Sequence, residues 1–242
     1  MLVSESWLKE WVDIDLDTSE LATKLTLSGL EVETTNPVTR IDPSPSNRKK
    51  FVVGRISDIK PHPMADRLQI CTVEIGQDHV IEIDLTPNRG DCLCIQGVAR
   101  EISALTGAAM KSTEVTKVRS ISGEHLPIRL EAPEACSRFV GRAIHDIDMH
   151  AITPDWMQEK LRRSGLRSIN PVVDITNLVM LEMGQPMHAY DFDKLSGGIV
   201  VRMAEDRERL KLLDGSTITL SPENLVIADH EKAVGLAGIM GG

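Results

Sequence analysis

The sequence predicts an α+β protein, with a small amino-terminal α/β domain followed by a mixed, mostly antiparallel α+β domain. Short helical and strand patterns alternate over residues 1–40, two well-delimited helices follow one another over 155–183, and four short strand-like segments occupy 199–228. Helices grouped apart from short strands are typical of α+β proteins. The 242 residues suffice for one or two domains, and with 41% hydrophobic but only 3% aromatic residues the core has to be mainly aliphatic.

The first domain is predicted to comprise residues 1–50 and 77–112. Asp17 followed by Glu20 has the spacing of a capping box, so a helix is expected to begin there and to end at Gly29. The other predicted elements are a short helix over 4–12, a strand over 30–34, a polar linker over 41–50, a turn over 86–91, and a helix that Asp91 caps and Gly107 ends. Between the two parts of this domain, strand-like segments over 51–59 and 69–75 are joined by a predicted turn over 62–68.

The second domain is predicted over residues 127–242, after a polar connector. Thr153-Pro154 is expected to start a helix over 155–164 that Gly165 ends. The predicted strands of this domain are 128–131, 139–144, 199–204, 209–213, 216–220 and 225–228. Because tight turns such as Asp214-Gly215 join the later segments, neighbouring strands are expected to be antiparallel.

The most informative segment is a helix predicted to start at Asn170-Pro171 and to end at Gly184, where Pro186 prevents its continuation. Asn177 lies in the middle of this helix, although asparagine is a poor helix former, and His188 follows the stop. A helix-borne amide and a histidine on the adjoining turn can converge on one spot. Taken without further information, the pattern favours a capping or packing role for His188 over a functional one.

The charge and the cysteine content limit which classes of function the protein can have. The net charge of −9 argues against a protein whose main role is to coat nucleic acid. Two local basic clusters, Arg162/Arg163/Arg167 and Arg48-Lys49-Lys50, are compatible with either a solvated surface or an RNA contact. Cys92 and Cys94 are too closely spaced for the usual zinc pattern, so no metal site is expected and the thiols are interpreted as reduced.

The amino terminus lacks the basic and apolar regions of a signal peptide, and no segment has the length of a membrane span. The expectation from these features is a soluble, cytoplasmic protein without a membrane partner.

The second half of the chain contains an ordered series of motifs: LRRSGLRS (161–168), VDITN (173–177), GQPMHAYD (184–191), GIVVR (198–202), LDG (213–215), LVIAD (225–229) and AGIMGG (237–242). This series resembles the editing domain and flanking regions of the bacterial phenylalanyl-tRNA synthetase beta subunit. A series in this order is far more specific than any single member.

The resemblance implies which residues form the editing pocket, in which tyrosine wrongly attached to the phenylalanine tRNA is hydrolysed. By motif matching, His188, Thr176 and Asn177 line this pocket, Arg167 lies near the end of the tRNA, and the Gly241-Gly242 turn forms another wall. His188 would orient a water molecule or the terminal ribose. A site that pairs with the tyrosine hydroxyl can reject phenylalanine, because its polar groups would otherwise stay unpaired.

The chain departs from the family pattern at two places. Residues 51–76 resemble only the opening of the OB-fold tRNA-binding domain that is inserted in the family, and two strands cannot close an OB-fold. The family glutamate that reads the tyrosine hydroxyl is expected to follow the last glycine turn, so 127–242 is predicted to be a partial editing domain.

The resemblance also implies cofactors and partners. The parent synthetase uses ATP and Mg²⁺ at a site in the alpha subunit, and no residue of this chain is expected to bind them. The expected partners are the alpha subunit and tRNA(Phe), in an assembly of two alpha and two beta chains.

Two other interpretations remain open at this point. In the first, the chain is a non-catalytic module that binds RNA or a partner subunit through Arg162, Arg163 and Arg167. In the second, it is a structural scaffold in which Asn177 and His188 satisfy only local backbone groups.

Overall fold

In a computed structural model, the described residues are 1–38, 55–62, 65–74, 78–112, 116–120, 123 and 125–242. The chain divides into two compact units. Unit 1 consists of Met1–Glu114 and His150–Met187, and unit 2 consists of Val115–Met149 and His188–Gly242. Within the described residues, every helix is too short or too polar to cross a membrane.

Unit 1 combines helices with a small antiparallel sheet and a separate hairpin. Its elements are β1 (Leu2–Ser4), α1 (Glu5–Leu8), α2 (Thr18–Leu27), β2 (Glu31–Val38), β3 (Arg55–His62), β4 (Ala65–Glu74), β5 (Asp78–Asp84), α3 (Ile95–Thr106), α4 (Asp155–Arg163) and α5 (Pro171–Met183). The sheet has the order β1-β5-β2, and both pairs are antiparallel. Strands β3 and β4 pair only with each other, so the strand pair predicted over 51–75 is present, although its residues 51–54, 63–64 and 75 lie outside the described part.

Unit 2 is built around one mixed sheet. Its strands are β6 (Ile128–Leu130), β7 (Ile199–Met203), β8 (Arg209–Lys211), β9 (Thr217–Thr219), β10 (Leu225–Ala228), β11 (Ala233–Leu236) and β12 (Met240–Gly241). Five of them form a sheet in the order β12-β11-β10-β7-β6, and β8 and β9 form a hairpin. Only the β6–β7 pair is parallel, so the predicted mostly antiparallel α+β fold is confirmed.

Local sequence signals determined the helix ends well. Asp17 caps α2 by accepting a hydrogen bond from the Glu20 backbone N–H at 2.8 Å. Asn170 caps α5 by accepting from the Val173 N–H at 3.0 Å, and Gly184 ends that helix with φ +73°. A left-handed residue after the last turn is the ordinary use of glycine at a helix carboxyl end, so both ends of the predicted helix are confirmed.

The amino end of α3 differs from the prediction. Asp91 does not cap this helix but lies in a short 3₁₀ turn, Gly90–Cys92, where it pairs with Arg89. Cys94 is the capping residue instead, and its thiol accepts a hydrogen bond from the Gly97 N–H at 3.3 Å. Asp is a preferred capping residue, but Asp91 lies three residues before the capping position and its carboxylate is engaged by Arg89.

Three other predicted elements also differ. The predicted strand over 139–144 is irregular, because its apolar residues Val140 and Ile144 remain exposed and alternation without a buried face does not fix a strand. The predicted turn over 62–68 is shorter, since β4 already begins at Ala65, and the helix predicted over 4–12 covers only Glu5–Leu8. The linker predicted over 41–50 lies outside the described residues.

Helices α4 and α5 contribute their apolar faces to the core of unit 1. Leu161 and Leu178 belong to the same buried cluster as Trp7 and Ile95. The indole N–H groups of Trp7 and Trp11 both donate to Glu182 Oε1 of α5, at 3.0 and 3.2 Å. The structure therefore groups both helices with residues 1–114, whereas the sequence suggested one domain over 127–242.

Candidate functional site

Asp174, in the first turns of α5, is a completely buried carboxylate. Its Oδ2 accepts hydrogen bonds from the Thr153 hydroxyl at 2.6 Å and from the Ser168 hydroxyl, and its Oδ1 accepts from the Ile169 N–H at 2.8 Å. Burial alone would raise the pKa of this carboxyl, but the hydrogen bonds from Ser168, Thr153 and the backbone outweigh it, and the pKa is lowered. Asp174 therefore fastens the loop before α5 to the helix.

The three predicted site residues of unit 1 lie on this braced loop and helix. The Thr176 hydroxyl donates to the Val173 carbonyl one turn back, at 2.8 Å. Asn177 is half-buried, and its carboxamide has no hydrogen-bond partner among the residues that the structure describes. Arg167, in the loop, is exposed and forms no ion pair within that part of the chain. Asn177 and Arg167 thus keep their polar groups available to a ligand.

In unit 2, His188 and Tyr190 form an aromatic pair. Their ring centroids are 4.5 Å apart and the ring planes make an angle of 68°, an edge-to-face arrangement. His188 is exposed as a residue, whereas Tyr190 is half-buried. The shielding of the imidazole from water lowers the pKa of His188, so the neutral ring predominates near pH 7. A neutral imidazole offers one hydrogen-bond donor and one acceptor.

Both rings lie over a pair of glycines. Gly235 in β11 is directly opposite Gly241 in β12, and residues directly opposite in an antiparallel pair project to the same face. A Cβ atom on Gly241 would overlap the His188 ring, with Nε2 2.7 Å away, and a Cβ on Gly235 would lie 3.3 Å from the Tyr190 hydroxyl oxygen. Neither glycine has a positive φ, so the close approach of the His188 ring is what requires glycine at Gly241, while the Tyr190 hydroxyl makes the space at Gly235 tight.

The backbone holds this end of the sheet in place. The Gly241 carbonyl accepts from the Leu213 N–H, and the Gly242 N–H donates to the Val234 carbonyl, both at 3.1 Å. The structure therefore brings His188 and Gly241 together, with Gly242 next in the chain. The other predicted site residues, Thr176, Asn177 and Arg167, belong to unit 1.

The basic cluster predicted at α4 is largely neutralised. Arg162 makes two hydrogen bonds of 2.9 Å to Glu159, which raise the pKa of the guanidinium. Arg163 is ion-paired with Asp78 and Glu159. Only Arg167 of this predicted RNA-binding edge is left without a carboxylate partner, so the cluster gives little support to an RNA-coating surface. The second predicted cluster, residues 48–50, lies outside the described residues.

One group of potential metal ligands occurs in the described residues, formed by Asp91, Cys92 and Glu101. Arg89 lies among them, with Nη2 2.8 Å from Glu101 and 3.0 Å from the Cys92 sulfur. Burial raises the pKa of the Cys92 thiol to about 11, so the thiolate that would bind a metal is not formed near pH 7. The guanidinium already supplies the positive charge, and the group does not fit Mg²⁺ or another divalent cation.

Two residues of these arrangements were not singled out from the sequence, Asp174 and Tyr190. An acidic residue in the first turn of a helix is common, so the sequence gave no reason to expect a buried one at Asp174. The spacing of Tyr190, two residues after His188, is a usable signal, because side chains two apart share a side in extended backbone.

Comparison with known proteins shows similarity to one domain model and to several full-length relatives. The model of the B3/4 domain matches residues 135–242. The phenylalanine–tRNA ligase beta subunit of Hahella chejuensis is 39% identical to this chain over an alignment of 324 positions, which covers all of this chain and 40% of that protein. The corresponding subunits of Methylococcus capsulatus and Nitrosococcus oceani are 38% and 36% identical over 325 residues, again with 40% of their length covered.

Over its whole length the chain is therefore similar to phenylalanine–tRNA ligase beta subunits, and it spans 40% of the length of the relatives named above. Among solved structures, an N-terminal fragment of the Pyrococcus horikoshii phenylalanyl-tRNA synthetase beta subunit has 12% sequence identity to this chain and a TM-score of 0.39. The superposition covers all of this chain and 62% of that fragment. A likeness of this size does not define a common fold.

Proposed function

We propose that this chain is the part of a phenylalanine–tRNA ligase beta subunit that removes tyrosine from mischarged tRNA(Phe), with His188 in the hydrolytic site. The observation that carries the proposal is the imidazole of His188 lying so close to Gly241 that a side chain at this position would overlap the ring. The same histidine and glycine are the ones that the family motifs assign to the editing pocket.

The reaction needs no side-chain nucleophile. A water oxygen attacks the tyrosyl carbonyl carbon, the ester bond to the terminal ribose breaks, and a water proton goes to the ribose oxygen, which releases tyrosine and uncharged tRNA. Because the lowered pKa keeps the imidazole neutral, His188 can accept a hydrogen bond from water or a ribose hydroxyl at one nitrogen and donate at the other. Holding these groups in place is an orienting role.

Thr176, Asn177, Arg167 and Gly242 remain proposed members of the same site on motif grounds. The unpaired carboxamide of Asn177 and the unpaired guanidinium of Arg167 support the assignment, because polar groups without protein partners are free for a ligand. The hydroxyl of Thr176 is engaged with the backbone of its own helix, so its contribution would be steric or through its second lone pair.

The wider assembly is proposed from the family. The alpha subunit, tRNA(Phe) and a complex of two alpha and two beta chains are the proposed partners, and ATP and Mg²⁺ are proposed to act at the alpha subunit. The 324-residue alignment with the Hahella protein exceeds the 242 residues of this chain, so the relative contains segments without a counterpart here. This supports the proposal that residues 51–76 are a remnant of a larger OB-fold insert.

The test is deacylation of preformed tyrosyl-tRNA(Phe) by the two-subunit synthetase carrying this sequence, wild type and His188→Ala. We expect the substitution to slow hydrolysis by about 10²-fold, the loss that follows when an orienting group is removed. His230→Ala is the matched control, because His230 is an exposed histidine of the same unit that also packs against a glycine, Gly197. Hydrolysis at the wild-type rate in the His188 variant would exclude the imidazole from the reaction, and salt-dependent tRNA binding without any hydrolysis would favour a binding module instead.

A further inference from the structure

We propose that Tyr190 is a positioning residue for His188, and that its ring, not its hydroxyl, sets the orientation of the imidazole. This inference rests on the proposed editing function. Its starting observation is that His188 forms no side-chain hydrogen bond with any residue that the structure describes. A catalytic histidine is usually oriented by a hydrogen bond from a third group, so something else has to orient this one.

The aromatic contact provides that orientation. The ring centroids of His188 and Tyr190 are 4.5 Å apart at 68°, at the short end of the range for an edge-to-face pair. Tyr190 itself is fixed, since it packs with Ile199, Val201 and Ile227 of the sheet. The imidazole is therefore held between a fixed ring and the backbone of Gly241.

The glycine pair beneath the rings is the second observation. Gly235 and Gly241 are opposite each other in the β11–β12 pair; Gly241 leaves room for the His188 ring, and Gly235 leaves room for the hydroxyl end of Tyr190. Two glycines at one cross-strand position weaken a sheet, because neither has a side chain to pack. Their presence here is explained if both rings must lie close to the backbone.

The ring and the hydroxyl have separable effects. Tyr190→Phe keeps the aromatic ring, whereas Tyr190→Leu removes it but leaves an apolar side chain of comparable reach. We expect the Phe variant to retain the wild-type kcat for tyrosyl-tRNA hydrolysis. The Leu variant should lose about three- to tenfold in kcat at little change in KM, the factor that corresponds to one aromatic pair.

Phe192→Leu is the matched control. Phe192 also meets a histidine of the same unit edge-on, His145, with ring centroids 5.9 Å apart. Its substitution removes an aromatic–histidine contact of the same kind without touching His188. We expect wild-type kcat and KM for this variant.

A spectroscopic measurement separates positioning from a loss of stability. The His188 Cε1 proton of the 242-residue chain, assigned by its absence in His188→Asn, should keep its chemical shift in Tyr190→Phe and change it in Tyr190→Leu, because the ring current is lost. Gly241→Ala serves as a second perturbation that leaves Tyr190 intact, and it should also move this resonance. The thermal midpoint of each variant shows whether unit 2 remains folded.

The outcomes are distinguishable. An equal loss of kcat in Tyr190→Phe and Tyr190→Leu would show that the hydroxyl matters and would overturn the proposal, as would an unchanged His188 resonance in Tyr190→Leu. If His188→Ala itself hydrolyses at the wild-type rate, the editing function fails, but a resonance shift in Tyr190→Leu that is absent in Tyr190→Phe would still support the positioning contact.

Discussion

The buried carboxylate of Asp174 gives the most direct test of how the loop before α5 is held. In Asp174→Ala, the Thr153 hydroxyl, the Ser168 hydroxyl and the Ile169 N–H all lose their acceptor. Thr153 is only 5% exposed, so water cannot easily replace its partner, whereas Ser168 and Ile169 are exposed and can turn to solvent.

The magnitude follows from these differences in exposure. A buried donor without a partner costs about 1–3 kcal/mol, and a donor that turns to water instead recovers most of its lost hydrogen bond. We expect the free energy of unfolding to fall by about 3 kcal/mol. With a urea dependence of about 1–3 kcal/mol per M, the midpoint should move down by about 1–3 M.

The assay is urea unfolding of the chain, followed by tryptophan fluorescence. All three tryptophans, at positions 7, 11 and 156, belong to unit 1, which also contains Asp174. Asp214→Ala is the control, because Asp214 is an exposed aspartate of unit 2 that also accepts hydrogen bonds, here from Ser216.

The pH dependence provides an independent check. The pKa of Asp174 is lower in the folded chain than its ordinary value, so its contribution to stability is complete above the unfolded pKa of about 4 and is lost as the pH falls through the folded value. The difference in stability between wild type and Asp174→Ala should therefore shrink in acid. A difference that stays constant from pH 7 to pH 3, or an unfolding midpoint within error of wild type, would refute this account of the loop.

Two further predictions concern the cores of the two units. Glu208 accepts two 2.8 Å hydrogen bonds from Arg202, which lower its pKa to about 2. The stability that Glu208 gives to unit 2 should therefore be complete above about pH 4.5 and be lost between there and pH 2. Thermal unfolding of Glu208→Gln between pH 7 and pH 2 should lack this pH-dependent component, and an acid dependence equal to that of wild type would contradict the prediction. Leu161 is fully buried among the helices of unit 1, so Leu161→Ala should lower the free energy of unfolding by about 2–5 kcal/mol. Urea unfolding measures this loss, with the exposed Leu213→Ala as control. A loss below about 1 kcal/mol would mean that α4 does not close this core.

Local signals in the sequence were sufficient wherever one short segment decides the structure. The Asn170 cap, Pro171 in the first turn and Gly184 at the end specified α5 to the residue, since each acts within one turn of the chain. The Asp91 cap was wrong because Arg89, two residues away, pairs with that carboxylate, and because the helix begins only at Ile95 with Cys94 as its cap. The strand predicted over 139–144 was wrong because alternating apolar and polar residues indicate a strand only when one of its faces is covered.

The features of the fold that depend on contacts between distant residues could not be predicted from the sequence. The two helices over 155–183 are amphipathic whichever core they join, and only the contacts of Leu161, Leu178 and Glu182 with the amino-terminal helix assign them to unit 1. Strands β11 and β12 were not predicted, because Ala233–Leu236 and Met240–Gly241 are short and contain glycine. The cross-strand partnership of Gly235 and Gly241 depends on their register and was therefore not predictable either.

The position of His188 is determined by the same residues that end α5. Gly184 stops the helix and Pro186 prevents its resumption, so the chain leaves unit 1 at Met187 and enters unit 2 at His188. Within unit 2, the contacts of His188 are the Tyr190 ring and the Gly241 backbone. The aromatic residue two positions later and the two glycines are thus explained by one requirement, an imidazole held without a hydrogen bond so that both of its nitrogens remain available to substrate.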